Sequence, residues 1–137
     1  MRVVIDPNVL VSAAISSTGP PRAIITSWTD ERFELVISPA LIEELRGVLH
    51  RSKLRRWISL DLADEFIDGL AQDATIVGDP PTLPSLSRDP DDDYLIALAR
   101  ATRADYLISG DRDLLDLEDP DPPILSPRQF AELLDQS

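Results

Sequence analysis

Carboxylates placed at the ends of apolar runs dominate the chemistry this chain can offer. Asp6 closes the β-branched run Arg2-Val3-Val4-Ile5 and opens Asp6-Pro7-Asn8. That tripeptide serves equally as a turn, as a helix cap, or as a carboxylate with an amide beside it to orient a ligand or a water. Glu44 lies three residues after Leu41 and four before Val48. Helical spacing therefore sets it beside the apolar stripe Leu41, Leu45, Val48 and Leu49, while Glu43 points toward Arg46 and Gly47. A carboxylate beside a core stripe is costly unless it is paired, metal-bound or able to reach solvent. Asp89, Asp91, Asp92 and Asp93 crowd one helix start. Asp89 as cap with Asp92 three positions on resembles a capping box, and acids here complement the helix dipole. Dipole complementarity alone hardly requires four of them, and a bound cation relieves their repulsion. Helix position does not separate Asp92 from Asp93. Asp111 and Asp113 follow the apolar run Tyr106-Leu107-Ile108 through Ser109-Gly110; Asp111 is also a natural cap for a short helix.

Hard oxygen donors of this kind suit Mg²⁺ or Mn²⁺. The chain has no cysteine and a single histidine, which excludes thiolate metal sites and disfavours imidazole-rich ones. A net charge of −12 argues against a general nucleic-acid binder. It leaves open an enzyme whose carboxylates hold cations that in turn meet a phosphate. The acids are unevenly spread, and His50-Arg51-Ser52-Lys53-Leu54-Arg55-Arg56 is locally basic. No apolar run reaches the roughly 18 residues of a membrane span, and Asp6 comes too early for a signal peptide. The expected location is the cytoplasm, with no membrane contact.

The elements that must position these acids alternate in type. Strands are expected at Arg2 to Ile5, Phe33 to Ile37, Ala74 to Val77, Tyr106 to Ile108 and Ile124-Leu125. Helices are expected at Val9 to Ile15 (broken by Gly19-Pro20-Pro21), Arg22 to Asp30, Pro39 to about His50, Leu60 to Gln72, Pro90 to about Arg103, Arg112 to Leu117, and from Pro127 through Leu134. Ser38-Pro39 and Ser126-Pro127 are cap-then-proline starts, and proline-rich Gly78 to Pro90 reads as loop. The 137 residues suit a single domain, 1–137, without internal repeats. This order predicts an α/β fold with a mainly parallel five-stranded sheet covered on both faces. Such sheets bind ligands beyond the carboxyl ends of their strands, which is where Asp6 and Asp111 fall.

Taken together, these segments resemble the PIN-domain family in order and over nearly the whole chain. Val3-Val4-Ile5-Asp6-x-Asn8-Val9-Leu10 is similar to its opening, Glu44-Leu45 with Val48-Leu49 to its second acidic motif, Asp93-Tyr94-Leu95-Ile96-Ala97-Leu98-Ala99 to its third, and Ser109-Gly110-Asp111-Arg112-Asp113-Leu114 to its fourth. The resemblance implies a three-layer α/β/α fold and a site of Asp6, Glu44, Asp93 and Asp111 holding Mg²⁺ or Mn²⁺, with Asp113 as a candidate fifth ligand and Asn8 and Ser109 orienting. It prefers Asp93 over Asp92. Two positions depart from the family pattern: Pro7 and Ser109 each stand where threonine is usual. The implied activity is metal-dependent hydrolysis of RNA phosphodiesters.

The nearest likeness within that family is to the VapC-like toxins of bacterial toxin–antitoxin pairs. It implies a cognate antitoxin protein and a homodimer as partners. Arg51, Lys53, Arg55 and Arg56 are candidates for contact with RNA phosphates or a protein partner; the competing reading is a solvated helix end. Leu54, Trp57 and Ile58 beside them can form an apolar partner surface. Phospho-receiver domains and haloacid-dehalogenase-like phosphatases also set acids at the edge of a parallel sheet, but both use a lysine there. Lys53, the one lysine, lies at the end of a helix. A rival of another class is a PIN-like scaffold without activity that only binds a partner, and Pro7 gives it some support.

Overall fold

In the computed structural model of this chain, residues 1–80 and 90–136 are described, and for residues 90–93 the backbone alone. Five strands form the sheet: β1 (Arg2–Ile5), β2 (Glu34–Ile37), β3 (Thr75–Ile76), β4 (Tyr106–Ile108) and β5 (Ile124–Leu125). Their order is β3-β2-β1-β4-β5, and every pairing is parallel. The expected mainly parallel sheet is therefore wholly parallel among the described residues. Central β1 explains the β-branched run that opens the sequence. Val3, Val4 and Ile5 are all fully buried, as a strand covered on both faces requires.

The described helices are α1 (Pro7–Ile15), α2 (Pro20–Thr29), α3 (Pro39–Leu49), α4 (Leu60–Asp73), α5 (Pro90–Ala101), α6 (Arg112–Leu115) and α7 (Pro127–Asp135). Crossings from β1 to β2 and on to β3 run in one direction across the sheet, and those to β4 and β5 run in the other. Right-handed connections then place α1 to α4 on one face and α5 with α6 on the opposite face. The packing agrees: α2 meets α7, α1 meets α2 and α3, and α5 lies on β1 and β4. The strand order reverses between β1 and β4, which makes their carboxyl ends the topological switch point.

Helix starts follow their caps. Ser38 Oγ accepts from Leu41 N at 3.4 Å, Ser59 Oγ from Leu62 N at 3.1 Å, and Ser126 forms a reciprocal capping box with Gln129. Three differences from the sequence expectation have local causes. Gly19, at φ 94, caps α2 so that Pro20 and Pro21 begin that helix instead of lying in the break before it. Pro7 likewise occupies the first position of α1, which starts two residues earlier than the apolar pattern suggests. Between α3 and α4, Ser52–Arg56 form a 3-10 turn, too short to show a helical repeat. The expected loop up to Pro90 and a capping role for Asp89 lie outside the described residues beyond position 80.

Candidate active site

The switch point is built around Asp6. Its backbone N–H donates to Ile108 O at 2.8 Å, stitching the end of β1 to the end of β4. Its carboxylate then accepts twice: from Asn8 N at 2.9 Å, capping α1, and from Ser109 Oγ at 2.8 Å. The cap and the candidate ligand are thus one residue, and the two readings of Asp6 are not exclusive. Ser109 is fully buried, and its hydroxyl also accepts from Asp111 N at 3.0 Å. Asp111 in turn caps α6, accepting from Asp113 N at 2.8 Å. A single serine hydroxyl therefore locks the acids that follow β1 and β4 into one register.

Asp6 is 4% exposed. Burial pushes its pKa above the ordinary aspartate value, and the charge of Asp111 adds to that, against the bonds from Asn8 and Ser109 that pull it down. Asp6, Asn8, Gly110 and Asp111 line one open cleft of about 340 Å³ beside α1, with Val9, Ser12, Pro21 and Pro127 completing its wall. A larger cleft, about 820 Å³, lies at the opposite edge of the sheet among Arg2, Glu34, Thr75 and Asp105. It is lined by charges of both signs. Arg2 Nε and Thr75 Oγ1 each donate to Glu34 at 2.7 Å, which holds the Glu34 carboxyl below its usual range, and Arg2 N donates to Asp105 at 2.7 Å. The smaller cleft is lined, among the described residues, by two acids, Asp6 and Asp111, and by no basic residue.

Glu44 is exposed, on the rim of the buried stripe Leu41, Leu45 and Leu49, not within it. Glu43 is also exposed and reaches Arg46 Nε at 4.0 Å, the direction its helical phase predicts. Glu44 bears on a second cluster at the same sheet edge. The hydroxyls of Ser38 and Tyr94 are hydrogen-bonded to each other, tying the end of β2 to the first turns of α5. Burial raises the Tyr94 pKa, and the negative charges of Asp79 and Glu44 contribute. Asp79 accepts from Ala40 N at 3.0 Å, in the first turn of α3. Sequence reasoning assigns Ser38 only a capping role and gives Tyr94 and Asp79 none. The trace that could have found them is the serine directly after β2 and the tyrosine directly after Asp93. Asp93 itself lies in the first turn of α5, and its side chain, like that of Asp92, is outside the described residues.

The donor chemistry fits a hard divalent cation, with the buried Asp6 carboxylate near half-buried Asp111 and no sulfur. Among the described residues Asp6 and Asp111 share the cleft, and no set of three acidic, histidine or cysteine side chains converges closely enough to hold a metal. Pro7 removes the threonine hydroxyl usual at its position. The N–H it also removes has no acceptor within a helix at that first position, so the cap survives the change.

The candidate contacts at 51–56 divide. Arg51, Lys53 and Arg56 are exposed, whereas the Arg55 guanidinium turns back onto the end of α3, donating to Leu49 O and to Arg51 O. Among the described residues no helix is long and apolar enough to cross a membrane.

The model of the PIN domain family matches residues 2–113. The chain belongs to the PIN domain family, whose members are generally nucleases that use divalent metal ions. It is 30% identical over 119 residues to the uncharacterized protein MJ1680 of Methanocaldococcus jannaschii, across 87% of this chain and 76% of that one. Its fold is similar to the crystal structure of PAE2754 from Pyrobaculum aerophilum, with a TM-score of 0.63 and 15% identity, covering 100% of this chain and 91% of that one.

Proposed function

We propose that this chain is a Mg²⁺- or Mn²⁺-dependent ribonuclease that hydrolyses RNA phosphodiester bonds, with Asp6, Glu44, Asp93 and Asp111 as its acidic site. The observation that carries the reading is Asp6, a buried carboxylate at the β1/β4 switch point that shares a serine hydroxyl and an open cleft with Asp111. A buried aspartate with a second acid nearby is costly for the fold alone, and a cation site gives that cost a purpose.

When bound, a divalent cation supplies Lewis acidity toward a water and toward the phosphoryl oxygens. The chain's part is positioning. Ser109 fixes the Asp6 carboxylate and the Asp111 backbone together, and Asn8 fixes the other Asp6 oxygen through its main chain. The Asn8 side chain stands at the cleft, where it orients the scissile phosphate or its attacking water. In this reading Glu44, carried by α3, and Asp93, in the first turn of α5, complete the acidic set, and Asp113, two residues after Asp111, is a candidate further ligand. No nucleophilic side chain is required, consistent with a chain that has no cysteine.

The same reading makes the chain the toxin of a toxin–antitoxin pair, acting in the cytoplasm as a homodimer restrained by an antitoxin; its support is the resemblance to VapC-like toxins. The alternative, an inactive scaffold, rests on Pro7, which instead fits the first position of α1. The deciding experiment is cleavage of single-stranded and structured RNAs by purified protein with Mg²⁺, with Mn²⁺ and with EDTA, beside Asp6→Asn. The proposal expects metal-dependent cutting that disappears in the variant. Folded wild type that cuts nothing with either metal, or a variant that cuts as well as wild type, overturns it.

A further inference from the structure

The turn between α3 and α4 concentrates positive charge in an acidic protein. From Arg46 to Leu60 there are five of the chain's 13 lysines and arginines, with His50, and no acid. Only part of this charge has structural employment. Arg55 satisfies the carbonyl end of α3, Arg46 reaches Glu43, and His50 Nε2 meets Asp64 Oδ1 at 2.6 Å. Among the described residues Arg51, Lys53 and Arg56 meet no carboxylate, although the chain carries 25 acids. A solvated helix end explains one cation near the last carbonyls, and Arg55 already fills that role.

Directly after these cations in the chain stands Trp57, 57% exposed. The Arg56 guanidinium lies over its ring, 5.0 Å from the centroid. One ring face is therefore backed by a cation, and the residue's exposure leaves indole surface open to solvent. Leu60 and Leu62, in the first turn of α4, are 48% and 56% exposed. An indole 57% exposed beside cations that meet no carboxylate offers a surface to a partner that is both flat and anionic. Unpaired nucleic acid is such a partner: bases stack on aromatic rings while phosphates meet the flanking cations. Paired bases are stacked within a duplex and cannot reach the ring.

We infer that the Trp57 turn is a docking surface for single-stranded RNA, with one base stacked on the Trp57 ring and phosphates held by Arg51, Lys53 and Arg56. This deepens the ribonuclease reading, on which it rests for the choice of RNA, by adding a contact for the strand outside the carboxylate cleft.

The test reads binding without cleavage. In EDTA, with Asp6→Asn to prevent cutting and Trp28→Phe to leave one tryptophan, an unpaired oligoadenylate is titrated against the full chain while Trp57 emission is followed. The inference expects quenching by the single strand and little by a blunt RNA duplex of equal length. Trp57→Ala should weaken the single strand roughly tenfold or more, with Trp57→Phe recovering part of the loss. Lys53→Ala should make the slope of log affinity against log salt shallower by about 0.7, one phosphate contact on a single strand. Unchanged emission together with equal affinity for Trp57→Ala overturns it, as does equal quenching by duplex. Failure in which an acidic protein segment, but not RNA, quenches Trp57 assigns the surface to a protein instead. Quenching that persists in a chain whose wild type never cleaves RNA leaves this surface standing and removes only the catalytic reading.

Discussion

Replacing Asp6 by asparagine should stabilise the metal-free protein at neutral pH and abolish most of its stabilisation by metal. Burial raises the pKa of Asp6 in the folded chain. The fold therefore favours the protonated form. That preference is fully present below the unfolded aspartate value of about 3.9, and it is lost as pH rises through the raised folded value. At neutral pH the wild type bears the cost of burying a carboxylate whose ionisation the fold resists, and asparagine does not. The amide keeps the cap, since its oxygen can still accept from Asn8 N, now at 2.9 Å from Asp6. A divalent cation reverses the order. For 137 residues, the unfolding entropy is about 0.29 kcal/mol/K, so each kcal/mol moves the melting midpoint by about 3.5 °C. Metal at a hundred times its Kd contributes about 2.7 kcal/mol, or about 9 °C. If the amide weakens binding about fiftyfold, the same metal gives the variant about 0.65 kcal/mol, or about 2 °C. Thermal melts of both proteins at pH 7, in EDTA and over a Mn²⁺ series, measure each quantity. Equal metal-induced shifts in the two proteins would remove Asp6 from the cation site. A variant many degrees less stable in EDTA would mean that the carboxylate holds the fold together, and that its burial is not a cost awaiting a cation.

Ser109→Ala removes a buried hydroxyl that donates to Asp6 and accepts from Asp111 N; a loss of about 1–2 kcal/mol in denaturant unfolding is expected. Because the Ser109 bond lowers the Asp6 pKa, its removal raises that pKa further and should move the acid limb of metal-dependent cleavage to higher pH, and an unmoved limb would separate Ser109 from Asp6 function. Glu44→Gln should cut cleavage far more than Glu43→Gln, whose carboxylate is an exposed partner of Arg46; single-turnover rates of the two variants decide, and the opposite order would show that α3 presents the other glutamate to the site.

The legibility of this fold from its sequence follows from how each element is encoded. Val3, Val4 and Ile5 announce a strand covered on both faces because no polar residue interrupts them, and all three are fully buried. Four helices open on a side-chain cap followed by proline or by an apolar repeat, as at Ser38-Pro39 and Ser126-Pro127, so their starts are readable to within a residue or two. The misplaced break at Gly19 shows the limit of such local rules. Proline is as compatible with a helix's first turn as with a loop, and what decides is a left-handed glycine in front of it. The 3-10 turn at Ser52–Arg56 carries no periodicity to read.

The site is legible in a different way. Parallel topology alone places Asp6 and Asp111 at one edge, since each follows a strand directly. What links them is not legible, because Ser109 lies 103 positions from Asp6, and that contact exists only once β4 pairs with β1. The Ser38–Tyr94 hydrogen bond, between residues 56 positions apart, is of the same kind. Glu44 shows the converse. The helical phase sets Glu43 toward Arg46, as found, yet counting Val48 with Leu41, Leu45 and Leu49 as core draws the stripe too wide, because Val48 is only half-buried and Glu44 is exposed. A carboxylate at the margin of a buried stripe can reach the sheet edge while keeping its charge solvated, whereas Asp6 has no such escape. That asymmetry makes Asp6 the acid whose ionisation the fold resists most visibly, and the natural first place to look for the cation that would justify it.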